Sequence, residues 1–420
     1  MRTAAMRLAS ITCRAAVAGI LLAAAEARSD NAGFQAFFFQ ACGAPSGALA
    51  ARCAETPGGF GDLSGDSESS LNPSQNLSQT ATAASLAQAR SKEARERGER
   101  LREDDVRDPA AGAQLVAGPL SLLVNLHGTW FERNVAPDYE AGRGFDGDSN
   151  GIEVGLDYRV SERAVVGALA GLERTQYDFD AEQPGVSFVP AKHAGSVDSD
   201  ATFLTLFGSW GIGGSGFVEA SAGYERHDGT YRRDAVFQES TRTLPQVDVR
   251  ATGDAIRTVT WISGNVGIDF QRDALGFGPY AGLTATRSKV DAYTERDRSG
   301  SGLDMRFGGA DRDSLLGHAG LRASYAISGS SGVFVPQVRV EYQHEFEDGS
   351  TSVTARYVLD TSATRYVLAS SGQDADFLRA GLSLSAILPR GWICFADYSV
   401  LLEHDEYDNQ RATLGVRMEF

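Results

Sequence analysis

The residues best suited to metal chemistry lie between Asp146 and Asp157. The segment Asp146-Gly-Asp-Ser-Asn-Gly151, with Asp157 at the twelfth position, has most of the spacing of a calcium loop, in which carboxylate and backbone oxygens coordinate at alternate positions. Acidic, glycine-rich turns are also common at hairpin tips, so calcium binding stays open at this point. The histidines are scattered without the spacing of metal ligands. We therefore predict no metal site and no cofactor.

Two short motifs contain residue types that serve in hydrolysis. Gly65-Asp66-Ser67 has the form of an esterase nucleophile block, but the triad also needs a later Asp-x-x-His and a fold of a few hundred residues, for which the segment has no room. His404-Asp405 would need paired acidic residues in opposing loops, and the sequence identifies none. We predict that the chain is not an enzyme and has no catalytic residues.

Composition and charge narrow the class of protein. The chain has 420 residues, of which 42% are hydrophobic, and its formal net charge is −16. This charge argues against nucleic acid as a partner, because phosphate binding needs a basic surface. Three arginines precede the apolar run from Ala15 to Ala25, and Ala25-Glu26-Ala27 fits a signal-peptidase site, so residues 1–27 are predicted to be a signal peptide. Export also favours a disulfide between Cys42 and Cys53.

Alternating apolar and polar residues dominate the chain after Leu120. About twelve segments of roughly ten or more residues have this period-two pattern, the length that a tilted membrane strand requires. Short and long connections alternate between them, as expected for periplasmic turns and outer loops. The sequence predicts an all-β transmembrane antiparallel barrel of about 12 strands over residues 117–420. Charged residues that fall on its inner face are predicted to line the pore: Glu153, Asp157, Arg339, Glu341, Arg379, Asp397 and Arg417.

A charged segment precedes the strands. Residues 80–108 begin rich in alanine and continue with Arg and Glu at i,i+3 and i,i+4 spacings, which favours a helix. The helix candidate from Thr80 to Asp105, about 39 Å long at 1.5 Å per residue, would thread a bilayer-thick pore, and its charges would meet a lumen lined by Glu and Arg. Residues 28–79 then form a short N-terminal head.

The last residues carry a resemblance to a known family. Thr413, Gly415, Met418 and Phe420 fit a polar-x-Gly-x-x-apolar-x-aromatic ending, the signal read by barrel-assembly machinery. With the strands at 338–348 and 391–398, this ending resembles the autotransporter β-domain, the translocator of type V secretion. The resemblance implies a monomeric twelve-stranded barrel, with the preceding helix in its pore and the head carried to the surface.

The predicted function follows from the resemblance. We expect a translocator in the bacterial outer membrane that exports or displays its own short head, with outer-membrane lipid, lipopolysaccharide, periplasmic chaperones and the assembly machinery as partners. A porin-like channel or a surface adhesin barrel, with the helix as a plug, is the alternative. The head is far shorter than the β-helical passengers of large family members, and it has no Asn-Asn cleavage junction.

Overall fold

The computed structural model describes residues 31–55, 63, 70–74, 90–92, 94–95, 119–134, 143–180, 194–238, 243–347, 351–369, 375–404 and 407–420. The predicted signal peptide lies outside these residues. Two helices come first, and strands follow: α1 (Asn31–Ala41), α2 (Gly47–Glu55), β1 (Leu120–Arg133), β2 (Phe145–Ser161), β3 (Ala164–Phe179), β4 (Gly195–Ile212), β5 (Gly216–Phe237), β6 (Val247–Ile268), β7 (Phe270–Arg272), β8 (Leu275–Val290), β9 (Tyr293–Thr294), β10 (Arg296–Asp297), β11 (Met305–Phe307), β12 (Ala310–Tyr325), β13 (Ile327–Gly329), β14 (Gly332–Glu345), β15 (Ser352–Tyr357), β16 (Tyr366–Ala369), β17 (Asp376–Leu388), β18 (Trp392–Leu402) and β19 (Tyr407–Glu419).

Twelve long strands form a closed antiparallel barrel, which confirms the predicted fold class. They are β1 to β6, β8, β12, β14, β17, β18 and β19. Each pairs with the next along the chain, and β1 pairs with β19 from Ser121↔Glu419 to Arg133↔Tyr407, which closes the ring. Closure leaves no edge strand in the ring, so the backbone amides of the spanning strands are paired within the sheet.

The outer wall of the barrel is apolar through most of its height. Outward residues such as Leu206, Ile262 and Leu414 are half or more exposed, although they are large and hydrophobic. Toward the long loops, exposed charged residues replace the apolar ones, as at Arg226 on β5 and Arg287 on β8. A wide apolar belt bounded by charge is typical of a barrel that faces lipid. No helix in the described part of the chain is long and apolar enough to cross a membrane.

Glycines on the inner wall make room for aromatic rings from neighbouring strands. A Cβ atom at Gly171 would collide with the Phe203 ring, one at Gly223 with Trp261, and one at Gly415 with the Phe395 ring and the Asn125 side chain. Each ring therefore covers the backbone of the adjacent strand. This packing fills the wall where a side chain is missing.

The outer end of the barrel contains a feature that the alternation did not predict. There the inward face changes from polar to apolar, as at Phe131, Phe145, Tyr177, Phe179 and Phe237, all of which are buried. A four-stranded sheet made by the long loops, in the order β16-β15-β11-β9, covers this end. We call these four strands the cap sheet. The interior of the barrel is thus lined by polar residues in the middle but has a hydrophobic core at the outer mouth.

The structure bears on two local features of the sequence. The segment with calcium-loop spacing does not form a loop, because Asp146 to Asp157 runs extended within β2 and pairs with both β1 and β3, so its carboxylates cannot wrap around one ion. Among the described residues, no group of three His, Cys, Asp or Glu could hold a metal ion. The connection between β5 and β6 spans only 238–246, because the two strands continue their pairing to Phe237↔Val247 beyond the apolar belt.

Candidate functional site

The middle of the lumen is lined by charged side chains from many strands. All seven residues predicted to line the pore are buried on the inward face: Glu153, Asp157, Arg339, Glu341, Arg379, Asp397 and Arg417. Toward the inner end, Arg417 lies 3.7 Å from Asp157 and 2.8 Å from Glu419, and Asp157 also accepts a hydrogen bond from Ser121. Mixed charges of this kind hold polar cargo or a polar plug in the barrel.

Arg90 inserts between several strands of this charged wall. Residues 90–92 and 94–95 are helical, and they are the described part of the helix predicted over 80–108. The Arg90 guanidinium pairs with Glu173 on β3, lies 3.8 Å from Glu225 on β5, and stacks 3.7 Å from the centre of the Phe203 ring on β4. It also approaches His127 on β1 at 3.4 Å. One cation therefore contacts four strands.

The next cations of the same helix contact other parts of the wall. Lys92 Nζ lies 3.3 Å from Asp397 on β18, and Arg95 lies 2.7 Å from Glu341 on β14. Arg95 also donates to His318 on β12 at 2.9 Å. Their side chains are almost fully buried. Because the partners of Arg90, Lys92 and Arg95 surround the axis of the barrel, the helical residues lie inside the lumen.

Three described segments before β1 lie at successive depths of the barrel. Residues 70–74 lie at the outer mouth, where the Ser70 hydroxyl accepts a hydrogen bond from the Val236 amide at 2.8 Å. Residues 90–92 and 94–95 lie in the lumen, and β1 begins at the inner end, where the Pro119 carbonyl accepts a hydrogen bond from the Arg159 amide. The described segments therefore follow one another from the outer mouth to the inner end.

The head packs on the cap sheet through one face of α1. Phe37 stacks on Tyr357 of β15 and on Tyr366 of β16, with ring centres 5.3 Å and 5.2 Å apart. Phe34 meets Tyr366 edge to face at 5.4 Å, and Phe38 meets Tyr357 in the same way at 5.7 Å. These three phenylalanines are almost fully buried. Burying them supplies the main apolar stabilisation of the head.

Backbone hydrogen bonds between the head and the loop after β15 fix the orientation of this contact. The turn between α1 and α2 forms a bridge from Pro45 to Asp360, the Ser46 amide donates to the Leu359 carbonyl at 2.9 Å, and the Thr361 amide donates to the Ala44 carbonyl at 3.0 Å. A disulfide joins Cys42 at the end of α1 to Cys53 in α2. It fixes the angle at which the two helices present their faces.

Carboxylates in the outer loops are held in their charged form by local hydrogen bonds. Partial burial raises the pKa of Asp297, but hydrogen bonds from the Ser301 and Ser299 hydroxyls and from backbone amides outweigh it, so its pKa lies below the usual value. The pKa of Asp360 is lowered in the same way, against partial burial, by Ser362 and Thr364. These carboxylates stabilise the turns that carry the cap sheet.

A buried ion pair ties the cap sheet to the barrel wall. Arg233 near the outer end of β5 donates two hydrogen bonds to Glu295, at 2.9 Å and 2.7 Å, and a third to the Leu303 carbonyl. Glu295 in turn accepts from the Met305 amide of β11 at 3.0 Å. Sequence reasoning missed this pair because no local pattern connects two residues that are 62 positions apart. The alternation of buried Met305 and Phe307 with exposed Arg306 could have indicated the short strand β11, but not its ion pair with the wall.

The closing strand has the faces that its alternation indicates. Thr413, Gly415 and Arg417 face the interior, whereas Leu414, Val416 and Phe420 are exposed on the outer wall and Met418 is half-buried. Among the aromatic residues near strand ends, Trp130, Phe270, Phe277 and Trp392 point outward. Phe131 and Tyr177 instead point inward, into the apolar core at the outer mouth.

Comparison with known proteins identifies the family. The model of the family described as Autotransporter beta-domain matches residues 127–399. The chain belongs to the autotransporter β-domain family. Such barrels are translocator domains of the bacterial outer membrane, and they interact in general with the membrane and with the assembly machinery. The barrel fold of this family is generally non-enzymatic.

The solved translocator domain of one autotransporter has the same fold. The translocator domain of NalP from Neisseria meningitidis superposes with a TM-score of 0.53 at 18% identity, over 80% of this chain and 99% of that one. The beta domain of BrkA from Bordetella gives a TM-score of 0.49 at 17% identity, over 72% of this chain and 100% of that one. At these identities the likeness concerns the fold of the autotransporter barrel alone.

A curated relative is longer than this autotransporter chain. The protein described as Lipase 1 from Photorhabdus luminescens is 24% identical over 301 residues, which cover 69% of this chain and 41% of that protein. The chain therefore spans about two fifths of the length of this relative. Gly65-Asp66-Ser67, the esterase-like block, lies outside the described residues.

Proposed function

We propose that this autotransporter barrel carries its own N-terminal head through the lumen and presents it at the cell surface. The observation that supports the proposal is the path of the chain, with Ser70 at the outer mouth, Arg90 in the lumen and Pro119 at the inner end. A segment that had stayed in the periplasm would not need to cross the barrel. The seven charged residues on the inner wall act as the pore lining, and two of them, Glu341 and Asp397, hold the helix once the head has passed.

Lysine chemistry offers a direct test of surface display. The chain has only three lysines, Lys92, Lys192 and Lys289. The labelling of a new lysine at the exposed position Gln40 of α1 can therefore be measured separately from theirs. Intact cells that express Gln40→Lys would be treated with a membrane-impermeant amine reagent, and peptides would be quantified by mass spectrometry. Lys289, exposed at the outer end of β8, is the accessible control, and Lys92, buried in the lumen, is the protected control.

The expected result is labelling at position 40 comparable with that of Lys289, and much weaker labelling of Lys92. Labelling at position 40 that appears only after the outer membrane has been permeabilised would contradict surface display. It would place the head on the periplasmic side.

We also propose that the chain has no enzymatic activity and that Thr413, Gly415, Met418 and Phe420 serve as the assembly signal. The similarity to a protein described as a lipase makes ester hydrolysis the activity to examine. Purified protein is expected to show no ester turnover above a buffer control. Turnover that is lost in Ser67→Ala would contradict the non-enzymatic proposal.

A further inference from the structure

The contact between head and cap sheet has the properties of a binding interface. α1 directs Phe34, Phe37 and Phe38 toward the loops, whereas Phe39 on the opposite side of the helix is 55% exposed. The aromatic rings interlock with Tyr357 and Tyr366, which belong to a connection more than 300 residues later in the chain. Apolar burial of this extent stabilises the contact without help from the covalent connection.

Polar contacts at the edge of this interface fix the orientation of the head. Thr361 donates both its amide, at 3.0 Å, and its hydroxyl, at 2.8 Å, to the Ala44 carbonyl. The Ser46 hydroxyl donates to the Leu359 carbonyl at 2.8 Å. A second anchor lies on the barrel rim, where the Arg52 guanidinium stacks 5.5 Å from the centre of the Phe237 ring. A flexible passenger would not share specific backbone hydrogen bonds with its barrel.

The disulfide makes the head ready for binding as one unit. Cys42 and Cys53 close a loop whose sequence separation is 11 residues, so the α1-turn-α2 hairpin is constrained before it meets the cap sheet. Preorganisation of this kind lowers the entropy lost on docking. Both cysteines are buried against the apolar core.

We propose that the cap sheet and the rim of β5 form a receptor for the exported head, and that its partner is the α1-turn-α2 hairpin, residues 31–55, of the same chain. This inference rests on the proposed export of the head. The head then acts as a fixed lid over the outer mouth and not as a passenger that swings on a tether. Its docked face is closed to the medium, and the side that carries Phe39 and Gln40 is presented.

Limited proteolysis of the purified full chain in detergent tests docking independently of export, because protease then reaches both ends of the barrel. Three proteins would be compared: the wild type, Phe37→Ala, and the matched control Phe39→Ala on the exposed side of the same helix. Docking predicts that the head of wild type and of Phe39→Ala resists cleavage. The head of Phe37→Ala should be cut about tenfold faster or more, because its stacking on Tyr357 and Tyr366 is lost and local opening becomes easier.

Two further measurements make every outcome decisive. The heat-modifiable mobility of the barrel on gels reports whether Phe37→Ala still contains a folded barrel, and reduction of the wild-type disulfide loosens the head without any substitution. Docking predicts that reduction also accelerates cleavage of the head. Docking is overturned if the wild-type head is cut as fast as that of Phe37→Ala, or if neither Phe37→Ala nor reduction exceeds Phe39→Ala. Failure of export, by contrast, would appear only as absent labelling of Gln40→Lys on intact cells.

Discussion

At the scale of single residues, the lumen matches each described cation of the helix with a carboxylate on the wall. Arg95 illustrates the energetics, because its guanidinium lies 2.7 Å from Glu341 and both side chains are almost fully buried. Glu341 also accepts a hydrogen bond from the Tyr280 hydroxyl at 2.9 Å. Removing one partner of such a pair is costly, because the remaining charge has already been taken out of water.

We expect Glu341→Gln to destabilise the protein by about 3 kcal/mol or more, the typical loss when a buried pair is broken from one side. The glutamine keeps the shape and the hydrogen bond from Tyr280 but not the charge. The unfolding temperature in detergent should fall by about 5 °C or more. Glu162→Gln, in the exposed turn after β2, is the matched control and should leave it unchanged. Equal unfolding temperatures for both variants would contradict the role of the pair.

Asp297 provides a pH-dependent test in the outer loops. Its lowered pKa means that the charged form is favoured in the folded loop, so its stabilising contribution is present above the ordinary aspartate pKa and is lost as the pH falls through the folded value. Asp297→Asn should therefore lower the unfolding temperature at pH 6 and lower it by a smaller amount at pH 3. Asp178→Asn, at an exposed position of β3, should behave like wild type at both pH values. A deficit in Asp297→Asn that is as large at pH 3 as at pH 6 would argue against the carboxylate as its cause.

At the scale of secondary structure, the strands are joined by packing as well as by hydrogen bonds. Gly415 in the closing strand has two candidate roles, as part of the predicted assembly signal and as the site covered by the Phe395 ring of β18. The sequence supports the first role, and the second becomes visible only once β18 and β19 are paired with Phe395 opposite Gly415.

A double substitution separates these two roles. Gly415→Ala should reduce the yield of folded barrel in the outer membrane, because its Cβ would collide with Phe395 and Asn125. If packing is the cause, Phe395→Ala in the same chain should restore much of the yield. Gly264→Ala, at an outward glycine with open space around it, is the control and should be harmless. A double variant as defective as Gly415→Ala alone would instead assign Gly415 to recognition by the assembly machinery.

At the scale of secondary structure, some elements could be predicted from the sequence and others could not. Alternation of period two located the barrel strands and the inward faces of Glu153, Arg339 and Arg379, because each strand meets lipid on one side and the lumen on the other. It could not predict the cap sheet, whose short strands, such as β11 and β15, pair between different loops without a repeating pattern. Nor could it predict contacts such as Phe37 with Tyr357, because nothing local connects residues so far apart in the chain.

At the scale of the whole molecule, two different contacts occupy the barrel interior. Mid-lumen, cations of the helix pair with carboxylates on the wall, as Lys92 does with Asp397. At the outer mouth, the head packs into an apolar core that continues from the inner faces of β1 to β6. Both contacts require the chain between the head and β1 to pass through the barrel, and this threading is the central claim on which surface display and docking depend.

A designed disulfide across the lumen tests threading most directly. The Ser91 hydroxyl of the helix lies 3.2 Å from the Thr284 hydroxyl of β8, and both residues are buried. Cysteines at these two positions should form a disulfide in the membrane-assembled protein, detected by mass spectrometry before and after reduction. The control pairs Ser91→Cys with Asn125→Cys on β1, across the barrel from β8. We expect an efficient cross-link between 91 and 284 and little between 91 and 125. Absence of the first cross-link, or equal yields of both, would contradict a helix held inside the pore.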